Sequence, residues 1–195
     1  MDRIHQRFLA HFVEQDVVGH MEADLEDATL DLGRLRVAIA FADLAGYTRL
    51  TEEAGEEEAV DAVERFIEDV EVTLPDDARV IKTIGDEVMV VGSDAAALVD
   101  WAVGFQRLVA DRRPLLRIGL HYGLTLYRDG DYYGREVNQA ARVAARAAGG
   151  EVLVTRPVVD LAGRHLEFER IGEVRLKGFD EATELFVARP AGEDG

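Results

Sequence analysis

Arg79-Val-Ile-Lys-Thr-Ile-Gly-Asp-Glu-Val-Met-Val-Val91 reads as two short strands, 80–84 and 87–91, folded about Gly85-Asp86. A glycine–acid pair between two runs rich in β-branched residues is a hairpin signal, because glycine accepts the backbone angles of a tight turn. Upstream, residues 36–43 form a third strand that ends in Leu44-Ala-Gly46-Tyr-Thr48. Between that strand and the hairpin lies an acidic amphipathic helix over about 56–72, with Val60, Val63, Phe66, Ile67 and Val70 on its apolar side, and Pro75-Asp-Asp turns the chain. Downstream, a helix over about 94–110 leads past Pro114 to a strand at 116–121, closed by Gly123, and residues 124–127 are a candidate to pair with a neighbour. Asp129-Gly-Asp131 opens a loop before a helix over about 135–147, which Gly149-Gly150 stops. Strands at 151–154, 168–171 and 185–188 and a helix near 157–162 complete the pattern. The order strand, helix, hairpin, helix, strand, helix, strand predicts an α+β fold, an α/β sandwich on a mostly antiparallel sheet.

The 195 residues suit one domain with a short appendage, and 48% hydrophobic residues supply a full core. Residues 1–33 read as a helical arm, with Ile4, Phe8 and Phe12 four apart and an acidic stretch at 22–31 leading into the domain. Three of the five histidines, His5, His11 and His20, lie in that arm. They are a conceivable pH sensor or plain polar surface. Residues 190–195 read as a flexible tail. The chain has no cysteine, so thiolate metal sites and cysteine nucleophiles are excluded. No apolar run approaches the roughly 20 residues that cross a bilayer, and the start lacks a signal-peptide pattern. The expected location is cytoplasmic. A net charge of −17 argues against nucleic acid or an anionic membrane as partner. A phosphate-bearing ligand would have to meet local cations or bound metal.

Rare residues point to where chemistry could sit. Only two of the 22 basic residues are lysines, Lys82 and Lys177, and Asn138 is the only asparagine. Lysine offers a compact, rotatable ammonium where arginine offers a flat fork. Asp43 ends the first strand and Asp86 sits at the hairpin tip. If that strand lies against the hairpin, two carboxylates converge at one sheet edge, a donor set suited to Mg²⁺ or Mn²⁺. Taken singly, Asp43 also suits a helix cap and Asp86 a turn. Asn138 and Arg142 stand four apart on one helix face, where they could orient a sugar oxygen and neutralise phosphate charge, or be ordinary surface. The single serine, Ser93, has no nucleophile-elbow context, and neither a P-loop nor a His-Glu-x-x-His motif is present.

Taken together, these segments resemble the class III nucleotidyl cyclase family, the adenylate and guanylate cyclase catalytic domain, over about residues 34–189. Phe41-Ala-Asp43-Leu-Ala-Gly46-Tyr-Thr48 is similar to the first metal motif, and Lys82-Thr-Ile-Gly85-Asp86 to the combined base-reading and second metal motif. Asp131-Tyr-Tyr-Gly134-Arg-Glu-Val-Asn138-Gln-Ala-Ala-Arg142 is similar to the third motif, with its spacing intact. Leu176-Lys177-Gly178 resembles the late segment that often supplies a lysine to the terminal phosphates.

The resemblance implies a ferredoxin-like fold, with helices covering one face of the sheet, in which Asp43, Asp86 and the Leu44 carbonyl hold two divalent ions, Mg²⁺ or Mn²⁺. It implies that Asn138 orients the ribose of ATP and that Arg142 stabilises the transition state. Lys177 would serve the terminal phosphates, with Arg135 close by. Lys82 would donate to adenine N1 and Asp131 accept from the N6 amino group, a pairing that guanine's reversed donor and acceptor would repel. The product would be 3′,5′-cyclic AMP. The family builds each site across an antiparallel homodimer, with Asp43 and Asp86 from one protomer and Lys82, Asp131, Asn138, Arg142 and Lys177 from the other. The short segment 123–131 reads as a compact dimerisation arm. The alternative is a non-catalytic or autoinhibited cyclase-like module in signal transduction. A diguanylate-cyclase reading fits less well, because the chain has Gly85-Asp-Glu-Val in place of that family's signature.

Overall fold

A computed structural model describes residues 33–192. Apart from Gly33, the arm expected over 1–33 lies outside them, as do the last three residues of the expected tail. The described chain runs β1 (Arg34–Ala45), α1 (Tyr47–Ala54), α2 (Glu56–Thr73), β2 (Ala78–Ile84), β3 (Glu87–Gly92), α3 (Ala95–Leu108), β4 (Leu115–Arg128), β5 (Asp131–Tyr133), α4 (Arg135–Arg146), β6 (Val152–Thr155), α5 (Arg156–Leu161), β7 (Leu166–Arg175) and β8 (Ala182–Pro190). One eight-stranded sheet has the order β2-β3-β1-β4-β6-β8-β7, with β5 paired to β4. Its first four strands, with the helices between them, form the ferredoxin-like unit. β1 with β3, β2 with β3, β4 with β5, β6 with β8 and β7 with β8 pair antiparallel, and β4 with β6 parallel.

Period-two alternation divides the buried residues between the two faces. Ala38, Ala40, Ala42, Val88, Val90, Leu116, Ile118 and Leu120 form one core with Phe66 and Val70 of α2 and with Leu98, Trp101 and Phe105 of α3. The alanines let the helices approach, and rings fill the space, with Trp101 stacked on Phe105 at 5.3 Å. Asp94 caps α3 as its position predicts, accepting from the amides of Ala96 and Ala97. The intervening residues Val37, Ile39, Phe41, Met89 and Val91 form a second core with Tyr132 and with Val137, Ala140 and Ala144 of α4. Helices therefore lie on both faces, not one: α2 and α3 cover one side of the ferredoxin-like unit and α4 the other. The long stem of the sheet binds α4 because its apolar stripe, Val137, Ala140, Val143 and Ala144, recurs at three- and four-residue intervals.

Two further elements depart from the sequence reading. Gly123 does not close a strand, since β4 runs unbroken through it. Asp129-Gly130 is no open loop but the two-residue turn of a β4–β5 hairpin, with φ of 52° and 82°. Two successive positive φ angles suit Asp-Gly in such a turn.

Candidate active site

The first strand does lie against the hairpin. β1 pairs with β3 so that Asp43 stands opposite Glu87, and Asp86 occupies the adjoining turn. Asp43 is only 7% exposed. Its carboxylate is gripped by Arg117 of β4, with Nε donating to Oδ1 at 2.5 Å and a second nitrogen donating to Oδ2 at 2.8 Å. That bidentate contact, together with the nearby charges of Asp86 and Glu87, raises the Arg117 pKa still further. Burial lifts the Asp86 carboxyl above its ordinary value, Asp43 adds to the rise, and backbone hydrogen bonds from the amides of Asp86 and Leu44 oppose it. Glu87 is raised by burial and then by both aspartates. Three carboxylates thus crowd one guanidinium, an arrangement that favours an added cation.

Among the described residues no three His, Cys, Asp or Glu side chains form a metal cage by themselves. Asp43, Asp86 and the Leu44 carbonyl would make a partial set of hard oxygen donors, of the kind that suits an ion taking its remaining ligands from substrate phosphates and water. Leu44 buries its side chain in the main core, so its backbone is firmly placed beside Asp86.

A second group lies on the same, α4 face of the sheet. Lys82 pairs in register with Met89, and Met89 with Phe41, so Lys82 shares the α4 face with Phe41 and, two residues on, Asp43. The β4–β5 hairpin brings Asp131 over that face. Lys82 Nζ donates to Asp131 Oδ2 at 2.7 Å, and Asp131 Oδ1 accepts from the Tyr132 amide at 2.8 Å. Tyr132 is buried and tilted against Tyr127 at 4.9 Å, which anchors the hairpin end. Asn138 and Arg142 lie exposed on α4, and Lys177 lies exposed after the buried Leu176. Among the described residues no hydrogen bond or ion pair joins Asn138, Arg142 or Lys177 to either group.

The sequence reading passed over Arg117, Glu87 and a trio made by the buried His121 and Thr155 with the half-buried Glu136. One signal was available for two of them. Leu116, Ile118 and Leu120 point to the main core, so alternation sends Arg117 and His121 to the opposite, α4 face. A charged residue and a histidine on one strand face beside a helix are polar groups that need partners. Glu87 is apparent only once the register with Asp43 is known.

The sequence pattern of the adenylate and guanylate cyclase catalytic domain matches residues 34–189. An adenylate cyclase of Streptomyces coelicolor is 37% identical over 122 residues, covering 61% of this chain and 32% of that protein. A pH-sensitive adenylate cyclase of Mycobacterium tuberculosis is 35% identical over 164 residues, 80% of this chain and 41% of that one. The chain thus spans about a third to two-fifths of these relatives' length. The crystal structure of the adenylyl cyclase CyaB from P. aeruginosa superposes with a TM-score of 0.72 at 24% identity, over 83% of this chain and 97% of that one. At that identity the likeness speaks for the fold.

Proposed function

This chain belongs to the adenylate and guanylate cyclase catalytic domain family, and from that premise we propose that it is an adenylate cyclase. It converts ATP to 3′,5′-cyclic AMP and pyrophosphate at two sites, each shared between two copies of the chain. The observation that carries the choice of nucleotide is the Lys82–Asp131 pair at 2.7 Å. An ammonium and a carboxylate side by side match adenine, whose N1 accepts and whose N6 amino group donates. Guanine offers a donor and an acceptor in the opposite places. Nζ has three hydrogens, so it can keep Asp131 and still reach the base. The relatives named as adenylate cyclases agree with this reading.

Asp43, Asp86 and the Leu44 carbonyl would hold two divalent ions, Mg²⁺ or Mn²⁺. Such ions supply a lowered pKa at the ribose 3′-hydroxyl and charge neutralisation on the phosphates. The hydroxyl oxygen forms its bond to the α-phosphorus, the bond to the pyrophosphate oxygen breaks, and the hydroxyl proton passes to solvent water. Asn138 holds the ribose so that this attack is in line. Arg142 faces charge that grows on the α-phosphoryl oxygens, a contact of the kind worth about 3–4 kcal/mol in other active sites. Lys177 meets the terminal phosphates, and Arg117 is the cation that shares Asp43 until ATP and its ions arrive.

Support for a shared site comes from the separation into two groups, since Asn138, Arg142 and Lys177 join neither within one chain. Leu126 and Tyr133 face each other across the β4–β5 hairpin, and both are exposed, with Leu124 beside them. This apolar strip suits a second copy as its cover. The test is formation of cyclic AMP from ATP and cyclic GMP from GTP, with Mn²⁺ and with Mg²⁺. The expected result is product from ATP that is lost in Asp43→Ala. Asp131→Asn should lower the ATP-to-GTP ratio of kcat/KM by about 10- to 100-fold, the worth of one charge-assisted hydrogen bond. Equal use of both nucleotides by the unaltered chain would overturn the assignment.

A further inference from the structure

Helix α4 carries Asn138 and Arg142 but is fastened to the sheet in two different ways. Near its C-terminal end, Gly119 of β4 lets the helix backbone in so closely that a Cβ there would collide with Ala144. Near its N-terminal end, Gly123 leaves room for the Glu136 side chain, which a Cβ would strike. The four residue steps of strand from Gly119 to Gly123 span about 13 Å, and the eight steps of helix from Glu136 to Ala144 span about 12 Å. The helix therefore lies along β4 with one attachment at each glycine. The first is backbone against backbone. The second is polar: His121 Nε2 contacts the Glu136 carboxylate, and His121 Nδ1 lies 2.8 Å from the Thr155 hydroxyl on β6.

We propose that His121 and Glu136 are positioning residues for catalysis, a latch that fixes the N-terminal end of α4 and with it the place of Asn138. The carboxylate can only accept, so Nε2 carries the hydrogen, and Nδ1 accepts from Thr155. His121 is 4% exposed and Thr155 1% exposed, which holds the ring in one orientation. Other charged groups around the same cleft are engaged elsewhere. Glu184 is held by Arg156 at 2.9 Å and Arg170 at 2.6 Å, and Arg135 reaches Glu181 at 3.7 Å. Among the charged groups of the described residues, Glu136 is the one that meets the ring. The other ties at this end are Val137 in the second core, Gln139 on Thr183 at 3.3 Å and Arg135 over the Phe179 ring; Gly134 provides no side-chain cap, and the first helical bond, from the Asn138 amide to the Gly134 carbonyl, is long at 3.3 Å. Asn138 is two residues from the latch, whereas Arg142 is two residues from the rigid contact at Ala144. Loosening the latch therefore displaces Asn138 more than Arg142.

The inference rests on the cyclase reading for its catalytic half and is tested on the full chain with two readouts. One is kcat and KM for ATP; the other is amide hydrogen exchange of a peptide covering 134–142. The variants are Glu136→Ala, Glu136→Gln, which keeps an acceptor for Nε2, and Gly123→Ala, which pushes the carboxylate aside without altering either partner. Glu136→Ala and Gly123→Ala should lower kcat by about 10- to 100-fold, the scale of an ångström-sized misplacement. KM should stay within about threefold and exchange at Asn138 should quicken, because only the attack geometry and the first turn are loosened. Glu136→Gln should restore both readouts. Unchanged kcat in Glu136→Ala and Gly123→Ala, or a change confined to KM, would overturn the catalytic role. Unchanged exchange would overturn the latch itself. A wild-type chain that forms no cyclic AMP sinks the cyclase reading, and the exchange comparison still decides the latch.

Discussion

Asp86 carries a cost in the folded chain that its position explains. Burial and the neighbouring Asp43 both disfavour its charged form, so the ionised side chain opposes folding until a cation arrives. Asp86→Asn removes the charge at nearly constant shape. It should raise the urea midpoint of the metal-free protein while lowering cyclic AMP formation by about 100-fold or more; a lower midpoint would show that the carboxylate stabilises the turn. His121, although paired with Glu136, gives the opposite sense of pH dependence from a histidine whose pKa a carboxylate raises, because burial outweighs the pairing. Burial pushes its pKa below the ordinary 6.5, with Glu136 pulling it partly back. The unfolded chain then binds the proton more readily, so this contribution to stability is whole above about pH 7.5 and is lost as pH falls below 6.5. Urea midpoints measured from about pH 8 to 5.5 should decline, and His121→Gln should flatten that decline. A slope unaltered by the substitution would place the titration elsewhere.

At the scale of elements, α4 and β4 act as a unit because glycine permits backbone contact only where no Cβ intervenes. Gly119→Ala forces a methyl group into the α4 backbone, which cannot rotate away as a side chain can. The expected destabilisation is about 1–3 kcal/mol, typical of an overpacked core. Gly123→Ala meets only the end of the Glu136 side chain, which can turn aside, and should lower the midpoint less than Gly119→Ala does. Equal midpoints for the two variants would mean that the helix yields readily at Gly119. Most element positions were legible beforehand, since α2, α3 and α4 carry clear helical stripes and the hairpin carries its glycine. Misreadings fell where a residue's local preference served a distant partner. Gly123 reads as a strand stop but is a cradle for Glu136, and the Asp129-Gly130 turn was hidden by the brevity of the three-residue β5.

For the molecule as a whole, a −17 charge and an anionic substrate are reconciled only if cations gather locally. The proposed dimer would gather them, bringing Lys82, Arg142 and Lys177 of one copy to the carboxylates of the other. Two inactive variants then complement each other. Mixing Asp43→Ala with Arg142→Ala in equal amounts should give heterodimers with one intact site, and about a quarter of wild-type activity, as random pairing under C2 symmetry requires. No recovery after exchange of subunits would mean that each chain builds its own site.

The sequence by itself determined the α+β class, the antiparallel hairpin and the family, and it named the residue types of the proposed site, because these depend on local periodicity, turn chemistry and short motifs. Asp43 and Asp86 could be paired on paper only on the condition that β1 meets the hairpin. Tertiary structure decided the rest. Arg117 on Asp43, Glu87 opposite it, Lys82 against Asp131 and Glu136 on His121 join residues 15 to 74 positions apart or across a strand register. No local preference encodes such meetings; they follow from strand order, register and the close approach that two glycines allow.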